Sequence, residues 1–140
     1  MGKLRHIAIS VPDPHKAAAF YMKAFGMTKV AEAKGPAADG VYLTDGTINM
    51  ALLRYKEDEW VGEGKDKDWF GLHHFGFWVD DVEQTRKDVE EAGGDWFMGA
   101  MEGDNVFVEV KFTDPNGNIF DVTHNGWGGA RKDGPPPEGE

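Results

Sequence analysis

The chain has 140 residues, 40% of them hydrophobic and 29% charged, with a formal net charge of −10. That length suits one domain with a buried core, and the acidic balance argues against nucleic acid or an anionic membrane surface as a partner. The absence of cysteine excludes disulfides, Cys-ligated zinc and thiol catalysis; no apolar run reaches the ~18 residues of a membrane helix, and the N-terminus lacks a signal peptide's apolar stretch, so the expectation is a cytoplasmic protein.

In chain order, the first predicted element is a strand over residues 6–11, HIAISV, rich in β-formers. Pro12-Asp13-Pro14 then leads into a helix, His15–Phe25, stopped by Gly26. Three short apolar segments follow, Thr28–Ala31, Val41–Thr44 and Ile48–Tyr55, with Asp45-Gly46 as a hairpin turn. The polar, Gly-containing stretch Lys56–Phe70 reads as a connecting loop. A second strand-like run, residues 74–79, passes through Asp80-Asp81 into the helical pattern Val82–Ala92. There Val82, Thr85, Val89 and Ala92 share one face, charged residues cover the other, and Gly93-Gly94 end it. The strand signals Trp96–Met98, Val106–Thr113 and Asn118–Thr123 complete the series, with Asp114-Pro115-Asn116-Gly117 as a turn. Residues 128–140 are Gly/Pro-rich and read as a flexible tail.

The two series are one phrase written twice. HIAISVPD begins at His6 and HHFGFWVDD ends at Asp81, and a shift of 68 (74 − 6) aligns His6 with His74, Val11 with Val79, Asp13 with Asp81 and Gly26 with Gly94. Each copy reads strand, helix, three strands. The expected fold is α+β: two βαβββ modules, about 1–55 and 70–127, joined by a linker at 56–69 within one domain spanning 1–127. Together they form an eight-stranded, cup-shaped mixed sheet. One face of each half-sheet lies under its helix, and polar residues in the strands can line the other.

These phrases, with FTDPNGNIFDVTH near the end, resemble the vicinal oxygen chelate superfamily over most of residues 4–125. That superfamily includes glyoxalase I, extradiol dioxygenases, methylmalonyl-CoA epimerase and the fosfomycin- and bleomycin-resistance proteins. The resemblance implies one divalent metal in the cup, held by the first and last strands of each half. It places His6, His74 and Asp121 as ligands, with Asp121 standing where Glu is usual. The usual fourth ligand falls on Ala51, which cannot coordinate; Asn49, two residues earlier on the same face, is the candidate for that place or for a substrate contact. Two imidazoles and one carboxylate leave open positions, the facial arrangement of non-haem Fe(II) oxygenases.

The resemblance therefore implies an enzyme acting on a small molecule that chelates the metal through adjacent oxygens, with extradiol-dioxygenase-like chemistry first and Fe(II) or Mn(II) favoured. Ni(II), Zn(II) or Co(II) would suit the alternative, a glyoxalase- or epimerase-like lyase or isomerase. A third reading is a non-catalytic ligand-sequestering protein, for which Trp60, Trp69, Trp78, Trp96 and Trp127 speak. A homodimer is implied by family habit. His124 is a candidate second-sphere acid or base, His73 is expected on the opposite face of a regular strand, and Glu109 and Lys111 share a face whose direction depends on hairpin register. A buried Asp121 needs compensation from a metal or from a basic side chain.

Overall fold

The structure is a computed structural model and describes residues 2–99 and 110–133. Its strands are β1 (Lys3–Ser10), β2 (Thr28–Lys34), β3 (Ala38–Thr44), β4 (Asn49–Tyr55), β5 (Gly71–Trp78), β6 (Asp95–Met98), β7 (Val110–Thr113) and β8 (Ile119–Thr123), and its helices are α1 (Pro14–Phe25) and α2 (Val82–Glu91). The punctuation works as composition predicts. The Asp13 carboxylate accepts from His15 N and Lys16 N at the start of α1, and the Asp81 side chain accepts from Gln84 N at the start of α2. Asp45 and Asp114 close the two hairpins by accepting backbone N–H groups.

All strands join one sheet of order β2-β3-β4-β1-β5-β8-β7-β6. Within each half the first and last strands run parallel, β1 beside β4 and β5 beside β8, and the halves meet through antiparallel β1 and β5. The repeat in the sequence is thus a two-fold-like repeat in space.

Side-chain alternation divides the sheet. One face carries Leu52, Val41 and Leu43 against Ala18 of α1, and Phe112, Phe120 and Val122 against Val82 of α2. These two clusters are the hydrophobic core, and each half owns one. The other face carries the in-between residues of the central strands: His6, Ala8 and Ser10 of β1, His74 and Gly76 of β5, Asn49 and Ala51 of β4, and Asp121 and Thr123 of β8. Gly76 is buried and the other eight are 5% exposed or less.

Two expectations need revision. The linker is not only loop: it holds a short 3-10 turn at Asp58–Trp60, and Val61 is fully buried. The Gly-rich start of the tail is fastened across the first half: Asn49 Nδ2 donates to Gly128 O, Thr44 Oγ1 donates to Gly129 O, and Arg131 N donates to Thr47 O. Composition reports the entropy of such a segment but not the donors waiting for its carbonyls. Of the predicted strand Val106–Thr113, residues 106–109 lie outside the described part. Among the described residues no helix is long and apolar enough to cross a membrane.

Candidate metal centre

His6, His74 and Asp121 converge, although they come from three strands. Their donor atoms all lie within 4.8 Å of one another. His74 Nε2 is 3.1 Å and His6 Nε2 is 3.9 Å from Asp121 Oδ2. The carboxylate is completely buried, and Oδ2 has no aligned hydrogen-bond donor.

The surrounding hydrogen bonds explain why a short contact is not a hydrogen bond. Asn49 Nδ2 donates to Gly128 O, so Asn49 Oδ1 is the acceptor toward His6 Nδ1, 2.8 Å away. That assigns the His6 proton to Nδ1 and leaves a lone pair on Nε2. On the other side, His73 Nε2 donates to Val61 O at 2.5 Å, which makes His73 Nδ1 an acceptor. His74 Nδ1, 2.7 Å from it, is then the donor, and His74 Nε2 too offers a lone pair. Two lone pairs and a carboxylate oxygen face one point. A proton on one imidazole relieves one contact; a divalent cation relieves all three. The donor set therefore fits a metal, and both ring orientations are held by partners on the far nitrogens, the arrangement that ligating histidines require.

His73 reaches His74 because β5 is not regular. Pairing with β1 steps from Ala8 with His74 to Ile9 with Leu72, so His73 is the extra residue of a bulge. Strict alternation would have sent it to the opposite face. This support for His74 is a feature that periodicity could not reveal; the doubled HH was its only trace. Tyr55 Oη lies 3.3 Å from the same His73 nitrogen.

The remaining candidates fall as follows. Asn49, considered above for the metal or the substrate, spends both ends of its amide on His6 and Gly128 and so fixes the His6 ring. His124 is exposed, and it is its carbonyl that the fold uses, as acceptor for Trp78 Nε1. Glu109 lies outside the described residues. Lys111 stands opposite Asp121 in the β7–β8 register and its Nζ is 2.5 Å from Asp121 Oδ1. The basic side chain that could compensate Asp121 is thus present, but it serves Oδ1 only. The tryptophans do not share one groove: Trp60 and Trp96 are exposed, whereas Trp127 is buried and stacks on His6 with ring centroids 4.7 Å apart. Gly76 makes that possible, since a Cβ there would sit 2.7 Å from the indole.

Burial first, and then the neighbouring His74, lowers the His6 imidazole from 6.5 to about 4 against the pull of Asp121. Burial likewise lowers His73 to about 4. Burial alone would raise the Asp121 carboxyl, but its charged surroundings, the Lys111 ammonium on Oδ1 among them, outweigh it and hold the group well below the usual carboxylate range. Both histidines are neutral when folded at neutral pH, and the unfolded chain takes up their protons first. Stability is therefore full above about pH 6.5 and falls between there and about pH 4, on the order of 4 kcal/mol for the pair after allowing for the partial exposure of His73. Asp121 adds its own loss only at lower pH. Urea unfolding of metal-stripped protein should show a falling midpoint across that window; a flat profile from pH 7 to 4.5 would contradict the burial of these rings.

Asn49→Leu tests the tautomer assignment. It removes the acceptor for His6 Nδ1–H and should weaken divalent-cation binding by about ten- to a hundredfold. Isothermal titration with Co(II) reads this directly.

A doubled βαβββ sheet thus gathers a histidine from each half and one carboxylate on one face of an open, cup-like sheet. The chain belongs to the Glyoxalase/Bleomycin resistance protein/Dioxygenase superfamily, whose family model matches residues 3–122. It is 32% identical over 96 residues to the mitochondrial methylmalonyl-CoA epimerase of Homo sapiens, covering 65% of this chain and 54% of that protein. The chain thus spans about half the length of that relative. Among solved structures, the hypothetical protein BH1468 from Bacillus halodurans C-125 superposes with a TM-score of 0.67 at 18% identity, covering 86% of this chain and 92% of that one. A single-residue variant of the Streptomyces coelicolor methylmalonyl-CoA epimerase in complex with 2-nitronate-propionyl-CoA gives 0.65 at 17% identity, covering 86% and 94%. These similarities establish the same fold.

Proposed function

We propose that the protein is a divalent-metal-dependent epimerase or isomerase that moves a proton on carbon beside a carbonyl, in a small substrate whose neighbouring oxygens chelate the metal. The observation that carries the metal is Asp121 Oδ2, buried, without a donor, and facing two imidazole lone pairs. The choice of proton transfer over ring cleavage is supported by the human relative, an epimerase of a CoA thioester. It takes precedence over the extradiol-dioxygenase reading, which rested on counting three ligands.

His6, His74 and Asp121 would hold the ion. Bound there, it would act as a Lewis acid and favour negative charge on a chelated oxygen. Asn49 and His73 keep the two imidazoles in the ligating tautomer. Trp127 covers His6 and keeps water from that side of the ring. Ala51, on the same face and without a donor atom, would leave room for a ligand's oxygen.

The test is proton exchange in D₂O. Protein loaded with Co(II) or Mn(II) and given methylmalonyl-CoA should wash deuterium into the carbon between the two carbonyls, seen by NMR, and EDTA should stop it. No exchange, with oxygen uptake on a catechol by the Fe(II)-loaded protein, would restore the dioxygenase reading.

A further inference from the structure

Lys111 is the one cation placed against the candidate centre among the described residues, and nothing about a three-ligand metal site requires it. Its stem is mostly covered, with a side-chain exposure of 23%, while the carboxylate it meets is fully buried. The ammonium takes Asp121 Oδ1 and leaves Oδ2 to the imidazoles. A partly buried lysine beside a cation site is electrostatically adverse to the cation, because like charges in a poorly solvated place repel. It is favourable to anything negative that enters with the cation.

We propose that Lys111 is a built-in counter-cation of the centre. It offsets the charge of Asp121, so that the loaded cup keeps the full double charge of its ion and selects an anionic, oxygen-chelating ligand over a neutral one. In the metal-free protein the same ammonium compensates Asp121 and keeps the cup folded without an ion. The inference rests on the metal reading above and specifies the ligand class that reading leaves open: dicarboxylate-like or enolate-like anions rather than neutral diols.

Two constants measured on the full chain test it: Co(II) affinity by calorimetry, and oxalate affinity of the Co(II)-loaded protein from the visible cobalt bands. Lys111→Gln keeps a hydrogen-bond donor for Asp121 but removes the charge, and Lys111→Met removes both. Either variant should bind Co(II) about tenfold more tightly or better, and oxalate about tenfold more weakly or worse. Lys111→Arg, which restores the charge, should return both constants toward wild type. Lys111→Met should also lose more melting temperature without metal than Lys111→Gln, and gain more when Co(II) is added. If Lys111→Gln leaves both constants within twofold of wild type, the inference falls while the metal site stands. If the wild-type protein takes up no Co(II), the metal reading falls and this inference with it.

Discussion

His74→Ala should abolish divalent-cation binding while leaving the protein folded. The apparent binding energy of a four-ligand structural zinc site, ~10–16 kcal/mol, amounts to roughly 2.5–4 kcal/mol for each ligand, or about two to three orders of magnitude in affinity. A three-ligand site has less to spare, so micromolar Co(II) should no longer be retained through desalting. The fold should survive because Asp121 keeps Lys111 and the two hydrophobic clusters lie on the other face of the sheet. The expected structural cost is that of one truncated buried side chain, on the order of 1–2 kcal/mol. Metal content after desalting and urea unfolding separate the two effects. His124→Ala is the internal control: that residue is exposed and away from the three donors, and it should bind Co(II) as wild type does. Full Co(II) retention by His74→Ala would place the site elsewhere.

The convergence of His6 and His74 was readable because the sheet repeats itself. Once His6 and His74 align at the shift of the repeat, two strands meeting at a two-fold-like axis must bring them together, and the ladder pairing Ala8 with His74 does so. Asp121 was readable as a charge flanked by apolar residues in a strand, a pattern whose burial demands a partner. What compensates it was not readable. Lys111 and Asp121 are brought face to face by a hairpin register that a one-residue slip would reverse. The role of His73 was hidden for a similar reason: a bulge adds one residue and turns a side chain that alternation sends away. The supports of His6 were hidden by distance, since Asn49 is steadied by a carbonyl 79 residues further on. Donor identity is thus local information, whereas donor orientation depends on loops and registers set by the whole fold.

Ala51→Glu should turn a protein that tolerates its metal-free state into one that depends on metal. The ladders pair Ala8 with Ala51 and Gly76 with Asp121, and Ala8 and Gly76 are themselves equivalent in the repeat. Position 51 is therefore the twin of Asp121, on the same inner face as Asn49, and only 1% exposed. A carboxylate there has no Lys111 of its own. Without metal it should destabilise the fold by roughly 3–5 kcal/mol, the cost of an uncompensated buried charge. With metal it becomes a fourth ligand. A hundredfold gain in affinity would return about 2.7 kcal/mol more on saturation than the wild-type protein recovers. Melting temperature with and without Co(II) should therefore diverge far more in Ala51→Glu than in wild type. Ala51→Leu, similar in bulk but without donors, should be destabilised with no such recovery. Proton exchange should fall in Ala51→Glu even when it is saturated, because one position left to the substrate is now filled by protein. Equal recovery in the glutamate and leucine variants would show that position 51 does not face the ion, and that the two halves of the sheet are less alike at the site than their ladders.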